Sequence, residues 1–390
     1  MMGSYLHQGR YTPLVLVTCA IYLITWFITS ATSNVIQATV IQQHAASQTF
    51  PVVRHFASVL FTFLLVLSCL KLFQKIHYQR LLMIVVLCVL IGLIAKSVSL
   101  QTYSFISAFG NYALNLSEAW RQLFVHPAWR STVEGILTGL GMVVNLRAIG
   151  IEEAWMVHIE AFDRFLYILG GLLILFWYFS KNSTLAQPDA PQTTFSFKIL
   201  FTSYHYLFVL TFLSGFNEGL LSFIPTIAHQ VLPDKPIKYY QYAACFGGII
   251  GPMIMGRFGD RLGILYMLFV TTGLLLLCHF LDMLLLQRSG SFIRIYYGTI
   301  FLEAAMIVCL ISLTTALIGE RLRTHGIFRV FALANLIASL GTTISMRLKI
   351  ITADSLFTYK IMIITINIFL IGMSAILYWR MSLKKGLTSI

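Results

Sequence analysis

Gly248-Ile-Ile-Gly-Pro-Met-Ile-Met-Gly-Arg-Phe-Gly-Asp-Arg-Leu-Gly263 lies between two long apolar runs and carries the most specific pattern in the chain. Its core is Gly256-x-x-x-Asp260-Arg261-x-Gly263. Glycine at 256 and 263 permits close helix approach and a tight turn at a membrane face, where a β-carbon would clash. A carboxylate at 260 can accept hydrogen bonds from the exposed N–H groups of a helix start and meet the positive end of its dipole. Arg261 adds the positive charge that cytoplasmic turns concentrate.

The rest of the chain fits a membrane setting for this turn. Of 390 residues 58% are hydrophobic and 11% charged, and the mean hydropathy is +0.82. A soluble domain carries roughly 25% charge, so there is too little polar side chain to cover a water-facing surface, and a soluble enzyme is excluded. The net charge of +13 comes from single basic residues and short groups between apolar runs. That is a membrane-loop pattern, with no basic block or aromatic RNA-binding motif, so no nucleic-acid partner is expected. Cys19, Cys69, Cys88, Cys245, Cys278 and Cys309 all fall inside apolar runs. Without a CxxC pair or zinc-like His spacing they read as small buried residues, and no metal or cofactor is expected.

Apolar runs of about 20 residues, the length that crosses a bilayer, predict twelve spans. The first six are 13–34, 53–73, 81–100, 103–122, 131–149 and 163–180; the last six are 200–226, 239–256, 262–286, 294–318, 327–346 and 359–380. The first run lacks a small-residue cleavage site and is expected to stay as a helix. The polar stretch around 181–198 lies near the midpoint, dividing the chain into halves 1–180 and 199–390 joined by a cytoplasmic linker. With the amino terminus in the cytoplasm, 16 of the 27 Lys and Arg residues fall on the inside and 11 on the outside. Both termini are therefore expected to be cytoplasmic, in a multi-pass protein of the plasma (inner) membrane.

The Gly256–Gly263 pattern resembles the inter-helix loop signature of the major facilitator superfamily of secondary transporters, and Gly251-Pro252 resembles that family's eighth helix. It falls where a second copy of the signature belongs, between spans eight and nine of twelve. The resemblance implies an all-α membrane fold of two six-helix halves. It also implies that Asp260 meets the start of the eleventh helix, near Thr324 to Ile327, and that Arg261 helps lock the two when the cytoplasmic side closes. Some features depart from the family. Ile264 and Leu265 replace the usual basic pair, and the first-half counterpart, Lys71 to Arg80, keeps only basic character. The fifth span lacks the glycine-proline cluster of drug/proton antiporters, although Gly135, Gly139 and Gly141 give it a small-residue face.

By the same resemblance the solute path is lined by helices one, four, seven and ten. A carboxylate in hydrocarbon costs several kcal/mol unless it pairs or faces a cavity, so acids in these spans are the first candidates. Glu218, beside Asn217 in the seventh span, and Glu303 in the tenth are candidates for proton coupling or binding; desolvation favours the neutral carboxyl, so either could take up and release a proton. Asn111, Asn115 and Glu118 share a helix face in the fourth span, with Arg121 a turn beyond. Trp26 and Asn34, with Thr25, Thr29, Ser33 and Gln37, form a polar edge of the first span. Glu134, Arg147, Arg54 and Lys96 are cavity charges or snorkelling end residues, and Tyr296 and Tyr297 read as an interfacial aromatic belt.

No P-loop, nucleophile motif or metal-binding helix pattern accompanies these residues, so no enzyme is expected. The sequence points to a monomeric secondary active transporter that moves a small organic solute by alternating access, coupled to protons and surrounded by membrane lipid. The cations Arg54, Lys96, Arg121 and Arg147 lean toward an anionic or siderophore-like metabolite. A non-transporting receptor or sensor on the same fold is the alternative, motivated by the lost first-half signature, and a membrane-embedded enzyme is a distant third.

Overall fold

The computed structural model describes residues 127–155, 204–221, 237–285, 293–322, 327–351 and 355–388, and the isolated positions 60, 87, 122, 125, 168, 171, 224 and 227. These residues form seven α-helices and no strand. α1 (Arg130–Trp155) follows a 3-10 turn, Pro127–Trp129. α2 is His205–Leu221, α3 Ile237–Leu262 and α4 Ile264–Leu285. α5 (Ile293–Leu322), α6 (Ile327–Ile351) and α7 (Leu356–Thr388) complete the set. They correspond to expected spans five and seven to twelve. Apart from the isolated positions, expected spans 13–34, 53–73, 81–100, 103–122 and 163–180 and the linker 181–198 lie outside the described residues.

Four stretches among the described residues, Ile264–Leu285, Arg294–Leu322, Val330–Lys349 and Leu356–Arg380, are long and apolar enough to cross a membrane. Several helices extend past the apolar runs that announced them. α3 continues to Leu262, so Gly256 to Arg261 form its last turns and the expected inter-helix loop shrinks to Gly263. The physical reason is Gly263 itself. It has φ +100°, and its N–H donates to Gly259 O at 3.0 Å, ending α3 in the left-handed conformation that glycine takes without β-carbon strain.

Packing follows the small residues. α1 and α3 run antiparallel, with Gly135 against the Pro252 carbonyl and Gly256 against the Ser131 carbonyl, approaches that a β-carbon would block. α2 and α6 run parallel, with Thr342 Oγ1 donating to Gly215 O at 2.9 Å. α5 is the central helix: Ala304, Ile307, Cys309, Leu310, Leu313 and Ala316 on it are sealed within the main apolar core. Cys245, Cys278 and Cys309 are buried and free, as their apolar surroundings suggest.

Candidate functional site

The first half of the site is where α3 meets α1. Helix α1 has no acidic residue in its own first turn, so its leading N–H groups lack an internal acceptor. Asp260 supplies one from α3. Its Oδ1 accepts from Ser131 N–H at 2.9 Å, and its Oδ2 accepts from Thr132 N–H at 2.8 Å and from the Thr132 hydroxyl at 2.5 Å. The Ser131 hydroxyl lies 2.7 Å from both Asp260 Oδ1 and Gly256 O and donates its single proton to one of them at a time. A carboxylate thus caps a helix that lies on the other side of the midpoint division in sequence.

Two expectations change here. Asp260 meets the start of the fifth span, not of the eleventh, because the end of α3 lies against α1 while α6 lies against α2. Arg261 is exposed and makes no ion pair among the described residues. The arginine that reaches across is Arg257, one turn earlier, whose Cζ lies 4.3 Å from the centre of the Trp129 ring. Gly256 and Gly263 act as the sequence implies, one in close approach and the other in the turn. Close by, Glu134 is buried and accepts from Gln122 Nε2 at 2.8 Å, so it does not snorkel.

The membrane acids divide between two surroundings. On α2, Asn217 is turned toward α7, where its Nδ2 donates to Asn367 Oδ1 and to Leu213 O, both at 2.8 Å. Gly215 and Gly219 face α6. Helical spacing places Glu218 with Thr211 and Ser214 on the remaining stripe, away from both neighbours. Glu218 is exposed and has no hydrogen bond or ion pair among the described residues.

Glu303 is in the opposite situation. It is buried against α4 and α7, where Oε1 lies 3.0 Å from His279 Nδ1 and 3.5 Å from Lys360 Nζ. Lys360 also pairs tightly with Asp282. Glu303 therefore faces a sealed charge cluster and not an open path, because two basic groups draw it into the helix bundle. Tyr296, beside Asp282, is buried, and Tyr297 stacks on Tyr240 at 5.2 Å between ring centres. Buried Tyr296 therefore does not belong to a lipid-facing belt. Lys349 and Lys360, two of the eleven cations assigned to outside loops, lie buried inside α6 and α7.

His279, Asp282 and Lys360 were missed by sequence reasoning. The available signal was Asp282 three residues after His279 inside an apolar run, with Lys360 at the edge of another. Trp26, Asn34, Asn115, Glu118 and Arg121 lie outside the described residues, as do Arg54 and Lys96. Arg147 lies in α1, but its side chain is outside the described set.

No protein-family model and no curated protein matches the chain. Solved structures do. A crystal structure of a bacterial homologue of the iron transporter ferroportin, outward-facing with soaked iron, matches with a TM-score of 0.73 at 12% identity over 94% of this chain and 99% of its own. A major facilitator superfamily transporter, FucP, in the outward conformation gives 0.71 at 10% identity over 94% and 98%. A variant of the E. coli fucose:proton symporter FucP gives 0.67 at 10% over 94% and 99%. The chain has the major facilitator fold.

Proposed function

We propose that the chain is a secondary active transporter that moves a small organic solute across the plasma membrane. Residues 1–180 rock against 199–390, six helices in each, exposing a midplane site to one side at a time. The observation that carries this reading is Asp260 at the start of α1. The halves meet there through one carboxylate, two N–H groups and two hydroxyls, a contact that water can replace when the ends part. Gly256, Asp260 and Gly263 are the gating residues of this reading, with Arg257 and exposed Arg261 beside them. Arginines at this end, and the removal of Lys349 and Lys360 from the outside loops, favour a cytoplasmic placement with both termini inside. Closed there, the chain corresponds to an outward-facing state, the state of the ferroportin homologue and of one FucP structure.

Protons are the coupling ion in this reading, with exposed Glu218 and, in the bundle, Glu303 as the acids that answer to them; one of the fold's neighbours is a fucose:proton symporter. Asn217 positions the Glu218 turn through Asn367. Glu118, Arg121, Asn115, Asn34 and Trp26 complete the solute path from the first half. The lean toward an anionic or siderophore-like solute rests on Arg54, Lys96, Arg121 and Arg147. Lys360 adds nothing to it, since two carboxylates already match that cation.

The test has two steps. A thermal-shift screen of purified protein against metabolite classes finds a ligand, because a compound that binds the folded state raises its stability. Proteoliposomes with an imposed pH gradient then measure that ligand's movement. Uptake or efflux that follows the gradient and is lost in Glu218→Gln supports the reading; binding without gradient-dependent flux supports a receptor on the same fold.

A further inference from the structure

We propose that Gln122 and Gly319 form a second closing contact between the halves, a fit of one side chain over one glycine, so that the missing β-carbon at 319 sets how far the ends approach. The contact itself is geometric. Its role in gating rests on the proposed function above, in which residues 1–180 and 199–390 part at this end.

Gly319 stands three residues before Leu322, the end of α5. A β-carbon there would lie 2.1 Å from Gln122 Oε1, 2.4 Å from Cδ and 2.6 Å from Cγ, so most of the glutamine side chain runs along bare helix backbone. At such distances something has to move, and Gln122 is poorly placed to do so. It has no exposed surface, and its amide is fixed from the other side, where Nε2 donates to Glu134 Oε1 on α1 at 2.8 Å. Oε1 is turned to Gly319 and accepts no hydrogen bond among the described residues. Gln122 is thus held on its own half by a hydrogen bond and meets the other half by shape.

The pair lies at the same end of the bundle as the Asp260 cap. α3 and α5 run in the same direction, with Gly247 against Phe301, Gly251 against Ala305 and Gly259 against Leu313. Gly319 follows Leu313 by six residues, about 9 Å at the helical rise, which carries it to the level where α3 ends at Leu262. The two contacts differ in kind. Asp260 joins the halves by hydrogen bonds that water can replace, whereas the fit of Gln122 over Gly319 depends on volume. Helix formation by itself favours alanine at 319. A weakened closed state in Gly319→Ala therefore reports the contact and not the helix.

Spin labels at Ile136 on α1 and Tyr266 on α4, both exposed, are placed in full-length protein whose native cysteines are replaced. Double electron–electron resonance in detergent micelles then reads the separation of the halves. Gly319→Ala should raise the ratio of the long to the short population at least about fivefold, the least expected of an extra carbon forced into a packed contact. The same substitution in a Gln122→Ala background, where the β-carbon enters vacated space, should change the ratio by less than about twofold relative to Gln122→Ala alone. Should Gly319→Ala not fold, Gln122→Asn is read in its place; it shortens the side chain by one methylene, draws the amide off Gly319 and should also raise the long population. An unchanged ratio in the variant read, or an equal rise from Gly319→Ala with and without Gln122, overturns the proposal. If Asp260→Asn shifts the ratio in the same labelled protein, such a failure leaves the rocking halves standing. One distance shared by every variant, Asp260→Asn included, overturns both.

Discussion

Lys360 is the residue on which the second half's electrostatics turn. Its buried ammonium serves two carboxylates, on α4 and α5. Lys360→Met removes the only cation in direct contact with Asp282 among the described residues. It should cost roughly 3–5 kcal/mol, the usual result of leaving a buried charge without its partner. Adding Asp282→Asn should recover part of that loss, because it deletes one of the stranded charges. Thermal unfolding of the two variants checks this, and a double variant no more stable than the single one contradicts it. The sequence exposes this residue poorly. Lys360 stands next to Tyr359 at the edge of an apolar run, where a lysine ordinarily snorkels to the interface. Only three-dimensional proximity to Asp282 and Glu303, 78 and 57 positions away in the sequence, reverses that expectation.

At the scale of helices, α1 and α3 depend on backbone approach. Gly135→Val places side-chain atoms onto the Pro252 carbonyl and should separate the two helices, with loss of folded protein or of the closed state. Gly273→Ala on α4, where a β-carbon meets nothing within 4 Å, should leave the melting temperature no lower, since alanine is the better helix former. Melting curves of the two variants side by side provide the check, and equal behaviour would refute the packing account. Hydrophobic run length makes these helices legible, and the glycine face of the fifth span is visible as well. What it does not show is which helix that face meets. Asp260 announces a helix start by its chemistry, but one carboxylate suits the first turn of any helix. The choice of α1 over α6 is made by the antiparallel packing of α3, a tertiary fact with no local signature. The extension of α3 through Arg261 is similar: the turn needs one residue, Gly263, and before it Asp260 caps α1 while Arg257 lies over Trp129.

At the scale of the whole molecule, the likeness to outward-facing major facilitator structures over 94% of the chain supports the fold, and the proposed division into halves rests on the span count and the midpoint linker. The sequence leads to this level because hydropathy reports membrane crossing directly. It is silent on the solute, since recognition depends on a few polar groups whose orientation no periodicity sets. The central claim is that the contact between Asp260 and the start of α1 opens and closes as the halves rock. It is tested most directly by spin labels at Ile136 on α1 and Phe258 on α3, both exposed, on a background whose native cysteines are replaced, with the distance read by double electron–electron resonance. The account predicts two populations, the short one matching the structure, and a shift toward the longer one when Asp260→Asn removes charge from the cap. A single distance, identical with and without that substitution, would contradict it.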